Sequence, residues 1–261
     1  MQLSFHKYQG TGNDFIMLDN LDGKYTHLTV RQIQDICNRR FGVGADGLIK
    51  INRIENYDFE VDYYNADGTK SFCGNGARCS VMFANELGLI KNNETSFWAI
   101  DGEHKAILST TEVHLQMTNV SHVNEVDQQA FEMNTGSPHY LNYVKSIDEM
   151  DVIAYGKSIR FNDIYNEEGI NVNLIEELGS NEIIVYTYER GVEDETLSCG
   201  TGVTAAALSY AYKNNLNGNV HVSVKTKGGE LAVKFHRAES FSDIWLIGPA
   251  KFVFKGNYEH A

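Results

Sequence analysis

Two short runs carry residue types suited to chemistry. One is Ser71-Phe72-Cys73-Gly74-Asn75-Gly76-Ala77-Arg78-Cys79, and the other is Leu197-Ser198-Cys199-Gly200-Thr201-Gly202-Val203. In each, a cysteine precedes Gly-x-Gly and small residues that can open a helix follow. A cysteine at a helix N-terminus faces unpaired backbone N–H groups and the positive end of the helix dipole. Both favour thiolate, so each thiol is expected below its free pKa of about 8.5. The glycines let an anion approach bare backbone, which seats a carboxylate beside a reactive sulfur. Taken alone, either cysteine also fits an inert role as a small buried hydrophobe at a helix start. A matched pair points further. Two thiols on opposite sides of a small anion suit inversion of a carbon that bears hydrogen. One thiolate removes the α-proton, and the opposite thiol delivers a proton to the other face. Two helix N-termini directed at the carboxylate would stabilise the charge that develops in the transition state. Such chemistry requires no cofactor.

The pair belongs to a wider repeat. Thr11-Gly12-Asn13-Asp14 is echoed by Thr135-Gly136-Ser137-Pro138 at an offset of 124, and Gly47-Leu48-Ile49 by Asn173-Leu174-Ile175 at 126. Cys73-Gly74-Asn75-Gly76 is echoed by Cys199-Gly200-Thr201-Gly202 at 126, and Gly102-Glu103 by Gly229-Glu230 at 127. Four echoes in one order predict two similar halves. The elements that position the cysteines read alike in each half. ADGLIKI, FEVDYYN, NLIEEL and EIIVYTYE are rich in β-branched and aromatic residues and predict strands. The runs over residues 77–90 and 203–216 are apolar nearly all round and predict helices buried inside their own domains. VHVSVKTKGGELAVKF predicts a hairpin with a Gly-Gly turn. The expected fold class is α/β of the α+β kind, with two pseudo-symmetric domains, each wrapping strands around a central helix. The domains are expected at residues 1–120 and 121–248, with the tail 249–261 joined to the first.

Composition narrows the remaining classes. The 261 residues are 42% hydrophobic and 22% charged, which is ordinary globular usage. A net charge of −13 argues against nucleic acid or an anionic membrane as a partner. The opening MQLSFHKYQG lacks the blocks of a signal peptide, and no apolar run of about 18 residues is present. A cytoplasmic protein is expected. Its four cysteines, Cys37, Cys73, Cys79 and Cys199, are expected to be reduced thiols. The Cys73–Cys79 spacing is not that of a zinc or thioredoxin-type site, so no metal is expected.

Other motifs read more plainly. Gly42-Val43-Gly44-Ala45-Asp46-Gly47 satisfies Gly-x-Gly-x-x-Gly, but a helix pattern precedes it and a strand pattern follows. That is the reverse of the dinucleotide-binding context, so it reads as a helix-to-strand turn. Cys37, in RQIQDICNRR, and Cys79 read as core. Asn65-Ala66-Asp67-Gly68 reads as a turn, which leaves room for a ligand role of Asn65. Glu189-Arg190-Gly191 ends a strand, either as a surface ion pair or as a grip on a ligand. Ser137-Pro138-His139 is a turn, or a placement of His139 that tunes a thiol.

These runs together, from Gly12-Asn13-Asp14-Phe15 through Cys199-Gly200-Thr201-Gly202, resemble the diaminopimelate epimerase family over nearly the whole chain. The resemblance implies a cofactor-independent epimerase acting on LL- and meso-2,6-diaminopimelate, with two pseudo-symmetric α/β domains and a homodimeric assembly. It implies Cys73 and Cys199 as the acid–base pair. It implies Gly74, Asn75, Gly200 and Thr201 around the reacting carboxylate, and Asn13, Asn65, Asn171, Glu189 and Arg190 as the grip on the substrate. His139 and Glu189 resemble the pair that adjusts the cysteines. Two positions depart from the family pattern: many members carry Gln where this chain has Gly47, and Asn where it has Ser137. Two other functions stay open on the residues alone. One is a related two-cysteine isomerase, such as a proline or hydroxyproline racemase, in which Arg190 and Asn171 would lack a distal partner. The other is a non-catalytic thiol or metal-binding protein.

Overall fold

The structure, a computed structural model, describes residues 2–259. The chain divides into two compact units. One runs to Leu115 and resumes at Gly248, and the other spans Gln116–Ile247.

The first unit contains β1 (Gln2–Gly10), β2 (Asn13–Asp19), α1 (Val30–Cys37), β3 (Gly47–Asn52), β4 (Phe59–Asn65), α2 (Gly74–Glu86), β5 (Glu94–Ala99), β6 (Gly102–Leu108) and β7 (Glu112–Gln116). Burial alternates along β4, with Phe59, Val61 and Tyr63 inward, as the strand pleat requires. β1 and β2 form a hairpin whose two loop residues, Thr11 and Gly12, have φ of 48° and 85°. Two positive φ values in a two-residue loop match the twist of the flanking strands. β2 then pairs parallel to β3, β3 antiparallel to β4, and β4 parallel to β5; β5, β6 and β7 are antiparallel.

The second unit contains β8 (Asn124–Glu125), β9 (Ala130–Asn134), β10 (Pro138–Tyr143), α3 (Val152–Arg160), β11 (Asn171–Gly179), β12 (Glu182–Glu189), β13 (Asp194–Thr196), α4 (Gly200–Lys213), β14 (Gly218–Thr226), β15 (Gly229–Arg237) and β16 (Phe241–Pro249). Its pairings follow the same order. They run antiparallel β9–β10, parallel β10–β11, antiparallel β11–β12, parallel β12–β14, then antiparallel through β15 to β16. Residues 117–120 belong here, since Met117 N–H donates to Ile244 O at 2.8 Å and Val120 pairs with Phe241. β17 (Lys251–Glu259) returns to the first unit and pairs antiparallel with β1.

Each unit buries one helix within its strands. In α4, Gly200 and residues 202–211 are all buried, and Ala205, Ala206 and Ala207 let surrounding strands approach on several sides. Phe131, Tyr143, Val222 and Phe235 pack in the same core. In α2 the buried set includes Ala77, Cys79, Val81, Phe83 and Ala84. Cys37 and Cys79 are core, with exposures of 2% and 0%.

Three local readings are refined. The first is α1, which stops at Cys37 because Asn38 Oδ1 accepts from the N–H groups of Arg40 (2.9 Å) and Phe41 (3.0 Å). That local turn competes with the helix ladder. Next, α2 ends at Glu86, two residues before Gly88 takes φ +74°. Finally, the β14–β15 loop is Lys227-Gly228, because Thr226 already pairs with Gly229.

The register also corrects the repeat. Phe15 aligns with Gly47 and Leu48 with Tyr64 in one unit; His139 aligns with Asn171 and Val172 with Tyr188 in the other. The strands therefore repeat at 124, and Gly47 corresponds to Asn171 rather than Asn173. The second unit has two more residues between β12 and its helix, which restores the offset of 126 at Cys199.

Packing of α3 gives a test. Gly156 lies in its interior, and a Cβ there would stand 2.3 Å from Tyr188 Cγ and 2.4 Å from Tyr188 Cβ. Tyr188 is wholly buried. In an open helix, Gly→Ala adds about 1 kcal/mol of stability. Here Gly156→Ala is expected to cost about 1–3 kcal/mol by overpacking, seen as a lower urea midpoint. An unchanged or higher midpoint would show that α3 is free to shift.

Candidate active site

Cys73 is the N-cap of α2, with φ −135° and ψ 118°, and Cys199 is the N-cap of α4, with φ −116° and ψ 114°. Neither side chain makes a capping hydrogen bond. The sulfurs are thus not used to close the helix ends. Helical bonding starts at Ala77 N–H to Cys73 O and at Val203 N–H to Cys199 O, both 2.8 Å. The N–H groups of Gly74, Asn75 and Gly76, and of Gly200, Thr201 and Gly202, precede these ladders. Such N–H groups point out of the helix start, where an anion is stabilised.

In the first unit, the β1–β2 hairpin brings Asn13 to Cys73. Cys73 Sγ lies 3.5 Å from Asn13 Oδ1, which also accepts from Asn75 Nδ2 at 3.3 Å. The amide orientation of Asn13 is set from its other end, where Nδ2 donates to Asp46 Oδ2 at 2.6 Å. Asp46 is braced in turn by Arg39, which bonds both Asp46 (2.7 Å) and Asp14 (2.6 and 3.0 Å). Burial alone would raise the Asp14 carboxyl, but Arg39 and Lys7 outweigh it and hold it below the usual carboxylate range. Behind Asn75 lies the wholly buried guanidinium of Arg78. Its Nη2 donates to Asn75 Oδ1 at 2.9 Å and to Thr11 Oγ1 at 3.3 Å. Among the described residues, its Nε and Nη1 have no hydrogen-bond partner.

Asn65 is turned toward its own loop. Its Oδ1 accepts from Tyr63 Oη at 2.7 Å, and its Nδ2 donates to Thr69 Oγ1 (3.0 Å) and Ser71 Oγ (3.2 Å). The turn reading of residues 65–68 holds, with Gly68 N–H bonded to Asn65 O and φ of +83°. The glycine at 47 has a steric reason. A Cβ there would stand 2.4 Å from the Tyr63 ring and 2.6 Å from Tyr64 O. Tyr63 fills the space a longer side chain at 47 would need.

In the second unit, the parallel pair β10–β11 sets His139 beside Asn171. His139 Nε2 is 2.9 Å from Thr201 Oγ1, and Cys199 Sγ is 3.4 Å from the same oxygen. Burial, reinforced by the positive field of Arg190, pushes the imidazole down to about 3, so it is neutral at ordinary pH. Asn171 donates to Ser137 Oγ (2.8 Å) and Pro138 O (3.0 Å), and accepts from Arg190 N–H at 2.9 Å. Its amide therefore locks Ser137, β10 and the end of β12 together. Arg190 Nη1 rests on Glu168 O at 2.9 Å, so this guanidinium is held by backbone rather than by Glu189. The carboxyl of Glu189 is shifted upward by burial.

Each unit thus gathers part of the expected set: Asn13, Cys73, Gly74 and Asn75 in one, and His139, Asn171, Cys199, Gly200 and Thr201 in the other. Asn65 makes its bonds within its own turn, and Glu189 and Arg190 end β12. Sequence reasoning missed Asp46, Tyr63, Arg78, Asn173 and Thr187. Asn173 had a signal: with Asn171 it puts two amides at alternate positions of an otherwise apolar strand, hence on one face. Arg78 had another, as a charge inside a helix that is otherwise apolar all round.

Comparisons with known proteins place the chain in a family. The diaminopimelate epimerase family matches residues 5–123 and 131–253. A diaminopimelate epimerase of Flavobacterium psychrophilum is 45% identical over 256 residues, covering 97% of this chain and 99% of that one. One of Chlorobaculum tepidum is 40% identical over 255 residues, covering 95% and 98%. Among solved structures, a PhzF-family phenazine biosynthesis protein of Bacillus anthracis aligns with a TM-score of 0.78 at 13% identity, covering 100% of both chains. A hydroxyproline epimerase of Agrobacterium vitis aligns with a TM-score of 0.68 at 13% identity, covering 98% and 92%. At such identity the structural likeness speaks to the fold alone. The family match across both halves, with relatives as similar as these over nearly their whole length, shows that the chain belongs to the diaminopimelate epimerase family.

Proposed function

We propose that this protein interconverts LL- and meso-2,6-diaminopimelate, with Cys73 and Cys199 as a two-sided acid–base pair and no cofactor. The observation that carries the reading is the repeated cysteine N-cap. Each sulfur stands at the open N-terminus of a buried helix, makes no capping bond, and belongs to a chain of this family. In one direction Cys199 thiolate takes the α-proton as the Cα–H bond breaks, and the Cys73 thiol gives its proton to the opposite face. Cys199 is left as thiol and Cys73 as thiolate, which is the state needed for the reverse direction. The N–H groups at residues 74–76 and 200–202 would hold the reacting carboxylate and stabilise its added charge. Asn13, Asn75 and Thr201 line the approach to the sulfurs. Asn65, Asn171, Glu189 and Arg190 would grip the remainder of the substrate, with Arg190 offering a planar fork to the distal carboxylate. His139 and Glu189 would tune the cysteines. The reading includes a small-molecule amino-acid partner and a cytoplasmic homodimer, and light scattering on the purified protein checks the dimer. Among the described residues, no helix is long and apolar enough to cross a membrane.

Incubation with LL-diaminopimelate in D₂O, followed by chiral separation and mass spectrometry, should give meso product with deuterium at the inverted carbon. Neither inversion nor exchange would sink the assignment. Cys73→Ser and Cys199→Ser are each expected to lower kcat by about 10²–10⁴-fold, since a serine hydroxyl is too weak an acid for either role. Near-normal turnover by either variant would remove that cysteine from the mechanism. Arg190→Ala separates this substrate from a ring amino acid without a distal carboxylate. A loss of kcat/KM of about a hundredfold or more is expected with diaminopimelate. No loss, with turnover of proline or hydroxyproline, would favour the racemase alternative.

A further inference from the structure

The two helix starts are built on different supports. Three positions beneath the start of α2 are Phe15, Ile49 and Tyr63. The positions at the same register in the second unit, 124 residues on, are His139, Asn173 and Thr187. The first trio is largely hydrocarbon. Phe15 and Tyr63 meet edge-on at 5.8 Å, and a Cβ on Gly76 would stand 3.1 Å from Ile49 Cδ1 and 3.4 Å from the Phe15 ring. The second trio is polar and almost wholly buried, with exposures of 0%, 0% and 3%.

The polar trio leaves little choice of proton positions. Asn173 Nδ2 donates to the backbone carbonyl of Tyr140 at 3.1 Å, and a carbonyl can only accept. The amide cannot be turned over without setting Oδ1 against that oxygen. In that orientation Thr187 Oγ1 donates to Oδ1 at 2.9 Å. The second amide hydrogen of Asn173 then faces His139 Nδ1 at 3.0 Å, so Nδ1 must be the unprotonated nitrogen. In a neutral imidazole the hydrogen is therefore on Nε2, which donates to Thr201 Oγ1 at 2.9 Å. With one lone pair of Thr201 taken by Nε2–H, its own hydrogen is free to be donated to Cys199 Sγ, 3.4 Å away, when that sulfur is thiolate. Gly202 makes the convergence possible. A Cβ there would stand 2.5 Å from Asn173 Oδ1, 3.3 Å from His139 Cε1 and 3.4 Å from Cys199 Cβ.

We infer that Asn173 is a positioning residue that fixes the His139 tautomer and thereby aims the Thr201 hydroxyl proton at Cys199. A donor aimed at sulfur favours thiolate, so the relay holds Cys199 ready to take a proton. The first unit has no such relay at its corresponding positions, and Cys73 faces the acceptor Asn13 Oδ1 instead. The two half-sites are thus biased toward opposite protonation states by their supports. The catalytic meaning of this bias rests on the proposed function, but the bias itself is measurable without substrate.

Nitrogen NMR of isotope-labelled protein should show His139 neutral with its hydrogen on Nε2. A hydrogen on Nδ1, or an imidazolium at neutral pH, overturns the relay. Iodoacetamide alkylation at neutral pH, followed at each cysteine by peptide mass mapping, reads the other end. Asn173→Leu and Thr201→Val should each slow Cys199 about tenfold, the worth of one hydrogen bond to an ionised group. Cys73 should keep its rate, and the double variant should be no slower than Thr201→Val alone, because both act through one bond. An unchanged Cys199 rate in either variant, or losses that multiply, refutes the inference. If Asn173→Leu does not fold, Thr201→Val and the wild-type tautomer decide it. In turnover, Asn173→Leu should lower kcat with little change in KM. Epimerisation without the expected tautomer refutes the relay alone; the expected tautomer and alkylation pattern without epimerisation refutes the functional reading alone.

Discussion

A helix buried on every side still has to begin, and its first N–H groups have no helical acceptor. Both units meet this constraint in the same way. The chain arrives at the helix in an extended conformation on a cysteine, turns through Gly-x-Gly, and leaves the opening N–H groups directed outward. Burial of the helix body supplies rigidity, because α4 is enclosed from residue 202 to residue 211. The same burial fixes where the sulfur sits. Much else in each unit follows from wrapping strands closely about a helix: alanines at the centre of α4, and glycines where a neighbour comes too near.

The repeat preserves geometry more faithfully than chemistry. Strand pairings recur in the same order, yet the supports beneath the two helix starts have diverged to hydrocarbon in one unit and to hydrogen bonds in the other. A symmetric scaffold with unequal supports suits a reaction with two equivalent faces and unequal partners. Inversion by the proposed cysteine pair would need one sulfur with a proton and one without, and identical surroundings would give both the same preference. The neutral state of buried His139 fits this division, because a charged imidazole would carry hydrogen on both nitrogens and set Nδ1–H against the Asn173 amide hydrogen.

Much of the outline was legible in the residues. The Cys-Gly-x-Gly runs marked both helix starts, the apolar runs after them marked buried helices, and FEVDYYN and EIIVYTYE marked strands that the structure contains. The failures share a physical origin. The match of Gly47-Leu48-Ile49 with Asn173-Leu174-Ile175 joined similar residue types across a real difference in loop length, and register is set by tertiary pairing, not by composition. The stop of α1 depended on a side chain, Asn38, folding back on its own backbone. Tyr63 could not be connected with Gly47 from sequence, because the contact crosses two strands. Asn173 looked like an ordinary polar residue until its carbonyl partner on β10 was known.

The two glycines Gly76 and Gly202 show how one motif can be held by different forces. At Gly76 the excluded Cβ would meet Ile49 and Phe15 at 3.1 and 3.4 Å, so the pressure is side-chain packing that can relax by tenths of an ångström. At Gly202 the excluded Cβ would meet an amide oxygen at 2.5 Å, and that amide is pinned by Tyr140 O, Thr187 and His139. Relaxation there would have to break a hydrogen bond in a wholly buried network, where an unpaired polar group is costly. The second glycine of Cys-Gly-x-Gly is therefore an easing of packing in one half and a condition for the polar relay in the other. Identical letters in a repeat thus carry unequal weight, and the weight follows from what each residue's missing atoms would strike.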